Sequence, residues 1–249
     1  MTTMQTAEHK VRVWDAPTRL FHWGLLALVL VAWFTGEEEG AAAQIHRYAG
    51  EAIAGLIVFR IIWGFAGGEH ARFGNFAAGP GAIVAHVRDL FSRQPRRHLG
   101  HNPLGGLAVF LLLGVVAGVV VTGLFSGSDE NTGPLAGLWG LELSEVHEVL
   151  FRVLQVLVVI HVLGVVVESL AAKDALVPAM ITGSKRRRED EPHQDAARAG
   201  FLPLLVAVSA GIAVSVALAV QQPRLNASSE HTSEYEHDVE YGGDTEHER

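Results

Sequence analysis

The chain has 249 residues, 49% of them hydrophobic and only 18% charged, with a formal net charge of −8 and a mean hydropathy of +0.25. That balance argues against an ordinary soluble domain and against a nucleic-acid partner, and fits apolar membrane spans joined by charged loops. The absence of cysteine excludes disulfides, iron–sulfur ligation by this chain and covalent haem attachment through C-x-x-C-H.

Five apolar segments approach the ~20 residues needed to cross a bilayer. The first runs from about Pro17 to Thr35, with Asp15 placed as an N-cap and Pro17 in the first turn. Its basic lead-in, apolar core and A-A-A-Q at Ala41–Gln44 also resemble a cleavable secretion signal. The long polar lead-in disfavours that parse. The second span runs Ala42 to Gly67, the third Pro103 to Phe125, and the fourth Ser144 to Ala172 with Ser144 as its cap. The fifth runs Phe201 to Val220. Between the second and third, Ala82 to Arg93 reads as a short surface helix with Ile83, Val84, Val87, Leu90 and Phe91 turned to lipid.

Lys and Arg sort by loop. They precede the first span (Lys10, Arg12, Arg19), fill the second connection (Arg72, Arg88, Arg93, Arg96, Arg97) and the fourth (Lys173, Lys185 to Arg188). The alternate loops carry Glu37 to Glu39 and Ser128 to Asn131 instead. This asymmetry places the N-terminus in the cytoplasm and the acidic C-terminal tail on the far side.

Four of the 13 histidines fall inside or at the mouth of spans: His22, His46, His147 and His161. Ionisable groups at membrane depth are costly and point to function. His22 and His161 share the cytoplasmic half, while His46 and His147 share the outer half. His147 and His161 lie fourteen residues apart on one helix, hence on one face and about 21 Å apart in height. Each pair joins two helices at matching depth, the natural axial set for a b-type haem between helices.

Haem propionates need cations or donors. Arg19 one turn from His22, Arg47 beside His46, Arg60 at the inner level and Arg152 at the outer level are the candidates. His98 and His101, at the entry to the third span, are further donors to a propionate or quinone. Gly24, Gly50, Gly55, Gly114, Gly118 and Gly164 admit close approach of a helix or a porphyrin. Glu168 lies seven residues past His161, on the same face.

V-W-D-A-P-T-R-L-F-H-W (Val13 to Trp23), I-H-R-Y-A-G-E (Ile45 to Glu51), F-R-I-I-W-G (Phe59 to Gly64), G-H-N-P-L-G-G (Gly100 to Gly106) and the His147/His161 pair resemble the prokaryotic cytochrome b561 family. The branch is that of the b-type cytochrome subunit of nickel–iron hydrogenases. The resemblance covers about residues 11 to 180. It implies a four-helix bundle holding two haems b, with ligands His22, His46, His147 and His161. It also implies electron exchange between the quinone pool and a redox partner, either a c-type cytochrome or a dehydrogenase or hydrogenase subunit.

The expected fold is therefore an all-α membrane protein: a four-helix transmembrane di-haem bundle over 1–180, a basic linker over 181–200, a fifth transmembrane helix over 201–221 and an acidic disordered tail over 222–249. The expected location is a bacterial inner membrane. In the tail, His231, His237 and His247 with nearby carboxylates are candidate weak metal ligands, and the acidic charge is a candidate dock for a basic cytochrome. Two rival functions remain at this point: a haem-bearing anchor for a catalytic subunit, and a His-dependent metal or proton transporter.

Overall fold

A computed structural model of the chain describes residues 8–92, 95–127, 132–136, 138–188, 191 and 194–242, the side chains of Glu8 and of 222–242 excepted. Ser128 to Asn131, Arg93 and the tail side chains lie outside the described residues. The elements in order are β1 (Glu8–Arg12), α1 (Ala16–Thr35), α2 (Ala41–Ala66), α3 (Pro80–Leu90), α4 (Pro103–Leu124), α5 (Ser144–Ala171), α6 (Leu176–Thr182), β2 (Ser184–Arg188) and α7 (Phe201–Gly242). Two short 3₁₀ turns, Glu69–Ala71 and Phe73–Asn75, connect α2 to α3.

Five of these helices are long and apolar enough to cross a membrane. Their ends follow local chemistry. Asp15 caps α1 by accepting from the Thr18 amide at 2.7 Å, and Asn102 caps α4 through the Gly105 amide at 2.6 Å, each satisfying an orphan donor of the first turn. Ser144 does not cap α5. Leu143 holds that position, and the Ser144 hydroxyl instead donates to the Glu142 carboxylate.

The expected surface helix forms as α3, with Val84, Val87 and Phe91 exposed. Its opposite side carries His86, which is buried and lies 3.2 Å from the Glu168 carboxylate on α5. Both side chains are more than nine-tenths enclosed, so α3 is anchored to the bundle by a polar clasp. Removing one partner of such a pair leaves the other unpaired, at a cost of about 3 kcal/mol. Glu168→Leu is therefore expected to lower the thermal midpoint of the purified protein clearly, and Glu168→Gln much less, because it keeps a hydrogen-bonding group opposite His86. Equal midpoints for the two variants would contradict the clasp.

Beyond the helices, β1 and β2 form a two-stranded antiparallel sheet with Glu8 opposite Arg188 and Arg12 opposite Ser184. The basic linker is thus partly a strand. Strand alternation turns Lys185 and Arg187 inward, where Asp174 accepts from Lys185 at 2.8 Å and lies 3.4 Å from Arg187. Burial lowers the pKa of both cations, and Asp174 opposes the shift. Their head groups also reach the His98 carbonyl. Glu69 and Ala197 exchange hydrogen bonds, N–H to carbonyl at 3.0 Å and amide to carboxylate at 2.9 Å. These contacts gather residues 8–15, 67–92, 95–102, 172–188 and 194–200 on one face, called here the basic face.

Two helix pairs make the bundle. α1 lies along α2 and α4 along α5, while contact between the pairs is thinner. Ile53, Ile57, Val116 and Leu154 form the apolar seam between them. The fifth span packs on α2, where a Cβ on Gly55 would fall 2.2 Å from the Ser215 hydroxyl and 2.5 Å from the Gly211 carbonyl. The two backbones meet directly, as small residues permit between membrane helices, and Ser215 donates to the Glu51 carbonyl at 3.0 Å. α2 is consequently the enclosed helix: 56% of its apolar window is buried, against 6–11% for the other spans. α7 continues as helix past Gln221 to Gly242, where composition predicts disorder. A preformed span removes the nucleation cost for the residues that follow it.

Candidate functional site

The polar groups at membrane depth come from three helices: α1 with His22, α2 with His46 and Arg60, and α5 with His147 and His161. α5 contributes at both levels because its two histidines are fourteen residues apart, close to four full turns.

At the face opposite the basic one, the His46 and His147 rings stand 6.3 Å apart between centroids, at 80° to each other. Each ring is tied down from behind. His46 Nδ1 is 2.8 Å from the Ala32 carbonyl, and His147 Nδ1 is 2.8 Å from the Val119 carbonyl. A carbonyl oxygen only accepts, so both Nδ1 atoms carry the proton. Both Nε2 atoms are then left with a lone pair, the tautomer a metal ligand requires. Glycine permits the clasp on each side. A Cβ at Gly36 would lie 3.3 Å from the His46 ring, and one at Gly123 would lie 2.9 Å from the His147 ring.

Toward the basic face, His22 and His161 lie within electrostatic reach of each other. Nδ1 of His22 is buried without a protein partner. Around this pair, Arg60 is only 3% exposed. Its guanidinium lies over Phe73 at 4.6 Å and Phe21 at 5.9 Å, and one terminal nitrogen has no hydrogen-bond partner. His101 sits between Trp14 and Phe76, at centroid distances of 4.7 and 4.4 Å. Its Nδ1 also lacks a partner. Burial lowers the His101 pKa to about 3, with Arg60 and His70 adding to the effect, so the ring is a neutral donor.

The remaining expected residues scatter. Arg19 donates one terminal nitrogen to the Ile181 carbonyl at 2.5 Å and keeps a buried Nε without a partner. Arg47 likewise has an unpartnered buried Nε. Arg152 is brought to nothing in the cleft; it is exposed and pairs with Glu148 at 3.2 Å. His98 turns instead to His86, ring centroids 5.2 Å apart, and burial lowers its pKa. Gly55 and Gly118 meet neighbouring helices, whereas Gly50, Gly114 and Gly164 have open space beside them. The carbonyl clasps and the His86–Glu168 pair went unseen in the sequence, since neither Ala32 nor Val119 announces a free carbonyl and His86 looks like a surface residue.

The donor set fits a porphyrin. Among the described residues no group of three or more His, Cys, Asp or Glu could hold a metal ion. A metal held by either pair of histidines would need further ligands, which a porphyrin could supply, and the unpartnered cationic nitrogens of Arg60 and Arg19 would suit its carboxylates.

The family described as prokaryotic cytochrome b561 matches residues 13–183. A protein of Rhizobium leguminosarum bv. viciae named a probable Ni/Fe-hydrogenase B-type cytochrome subunit is 27% identical over 219 residues, covering 72% of this chain and 91% of that relative. One of the same name from Azotobacter vinelandii is 28% identical over 222 residues, covering 73% and 91%. No solved structure matches the chain.

Proposed function

The chain belongs to the prokaryotic cytochrome b561 family, and from that premise we propose a membrane electron carrier with two b-type haems, one at the level of His147 and one at the level of His161. The single observation that carries the reading is the preset His46/His147 pair: two Nδ1 atoms committed to carbonyls 2.8 Å away and two Nε2 lone pairs left for one metal. Haem supplies the one-electron redox centre when bound. The chain's residues do the rest. His46 and His147 hold one iron, His22 and His161 the other, and Arg60, Arg19 and His101 meet propionates near the basic face, with Arg47 near the opposite one. The apolar walls exclude water and set the potential.

The proposed partner is a hydrogenase-type subunit, because the relatives carry that function in their names, and the other terminus is the quinone pool. The proposed location is a prokaryotic inner membrane with the basic face in the cytoplasm. A transporter would group its ligands at one depth; the two histidine pairs, fourteen residues apart along α5, favour the carrier.

The test is haem per polypeptide by pyridine haemochrome together with a reduced-minus-oxidised spectrum after adding a quinol analogue. Two haems per chain, reducible by quinol, are expected. A haem-free preparation overturns the reading, and haem that quinol cannot reduce reassigns the chain as an anchor. In the same preparation, Arg60→Met is expected to lower the midpoint potential of one haem, by roughly 40 mV for each kcal/mol by which the cation had favoured the reduced over the oxidised form. Unchanged potentials of both haems would remove Arg60 from the site.

A further inference from the structure

A cavity opens on the basic face with a volume of about 720 Å³, and none of the four paired histidines lines it. Its walls come from β1, the starts of α1 and α7, the end of α2 and the segment 195–200. That last segment lies beyond the residues 13–183 that the family covers.

The charges in these walls are not equally committed. All three carboxylates are already engaged. Asp15 accepts from the Thr18 amide at 2.7 Å and Trp63 Nε1 at 3.2 Å. Glu69 accepts from the Ala197 amide at 2.9 Å. Asp195 accepts from the Arg12 amide at 2.7 Å and pairs with the Arg12 guanidinium at 3.5 Å. The cations are less committed. Lys10 and Arg198 line the cavity and form no ion pair among the described residues. Arg19 gives one nitrogen to a carbonyl and keeps a buried Nε without a partner. The uncommitted capacity is therefore cationic donors, which call for a ligand that only accepts.

The rest of the wall is apolar. Pro17, Phe201 and Leu204 line it where two membrane spans begin, and Phe201 is 77% exposed. A free phosphate would leave most of 720 Å³ unfilled. We infer that this cavity binds the phosphate of an anionic phospholipid, with Lys10 and Arg198 on the head group and the chains descending between α1 and α7. Basic pockets between membrane helices bind such head groups. The inference does not depend on the haems.

The test titrates the delipidated, haem-loaded full chain with phosphatidylglycerol in detergent and counts adducts by native mass spectrometry. One tight adduct is expected, absent with phosphatidylcholine at the same concentration. The double variant Lys10→Gln/Arg198→Gln is expected to bind it ~30-fold more weakly, about fivefold per cation, with haem content and spectrum unchanged. Arg96→Gln/Arg188→Gln, on the same face but outside the cavity, is expected to leave it intact. Equal retention of phosphatidylcholine, an adduct insensitive to the first variant or equally weakened by the second, competition by a neutral quinol analogue, or displacement by millimolar inorganic phosphate would each overturn the inference, the last in favour of a soluble phosphate ligand.

Discussion

His147→Ala is expected to yield a chain that retains one haem b instead of two, measured as haem per polypeptide. The imidazole it removes is one of only two protein groups proposed for that iron, and its neighbours offer no replacement. Within reach are the Val119 carbonyl at 2.8 Å and the Thr122 hydroxyl at 3.4 Å, both weak iron ligands. The pair acts as a unit, so His46→Ala alone and the His46/His147 double variant are expected to match the single His147 variant. Combining His147→Ala with His161→Ala is expected to remove both haems, since those residues serve different irons. Two full equivalents in His147→Ala would break the assignment of pairs, and complete loss from that one change would mean that the two sites fold as one.

Gly55→Leu is the second substitution expected to act strongly, and it touches neither haem. The new side chain would start within 2.2 Å of the Ser215 hydroxyl and 2.5 Å of the Gly211 carbonyl. Backbone cannot yield as a side-chain tip can, so α7 is expected to lift off α2. Overpacking in a tight seam costs about 1–3 kcal/mol where it can relax, and a backbone contact sits at the upper end. Two measurements check this: the temperature at which haem absorbance is lost, and proteolysis between β2 and α7. Both are expected to worsen, while haem content in the cold stays at the level of the unsubstituted chain. Gly211→Leu is expected to match it, and the double variant to add little, because either change alone opens the same crossing. Unaltered melting in both variants would place α7 elsewhere.

Much of the architecture was legible because a bilayer imposes length and hydropathy on every span. The ends of four spans fall within a residue or so of the predicted ones, and Asp15 caps α1 as its chemistry demands. The distribution of Lys and Arg already separates the loops that the sheet, the Asp174 ion cluster and the Glu69–Ala197 exchange bring to one face. Rise per residue converts sequence position into height, and on that reading His46 and His147 share a level; their rings stand 6.3 Å apart.

Contacts distant in sequence were not legible. Nothing local tells Glu8–Arg12 that its partner strand is Ser184–Arg188. His86 on an amphipathic helix reads as a surface residue until Glu168, 82 positions away, is seen beneath it. Arg152 looked available for a cofactor, yet Glu148 one turn before it is the nearer partner. Gly36 and Gly123 matter only because rings from other helices lean on them, and no spacing rule connects Gly36 to His46.

α5 supplies one imidazole near its start and another past its middle, so one continuous rod sets how far apart the two proposed stations stand. Loops can lengthen or shorten through evolution without altering that gap, because no loop lies between His147 and His161. A single residue inserted between them would swing one imidazole by about 100° around the axis and shift it by only about 1.5 Å along it. The helix is thus a gauge tolerant of change everywhere except within the nearly four turns between His147 and His161.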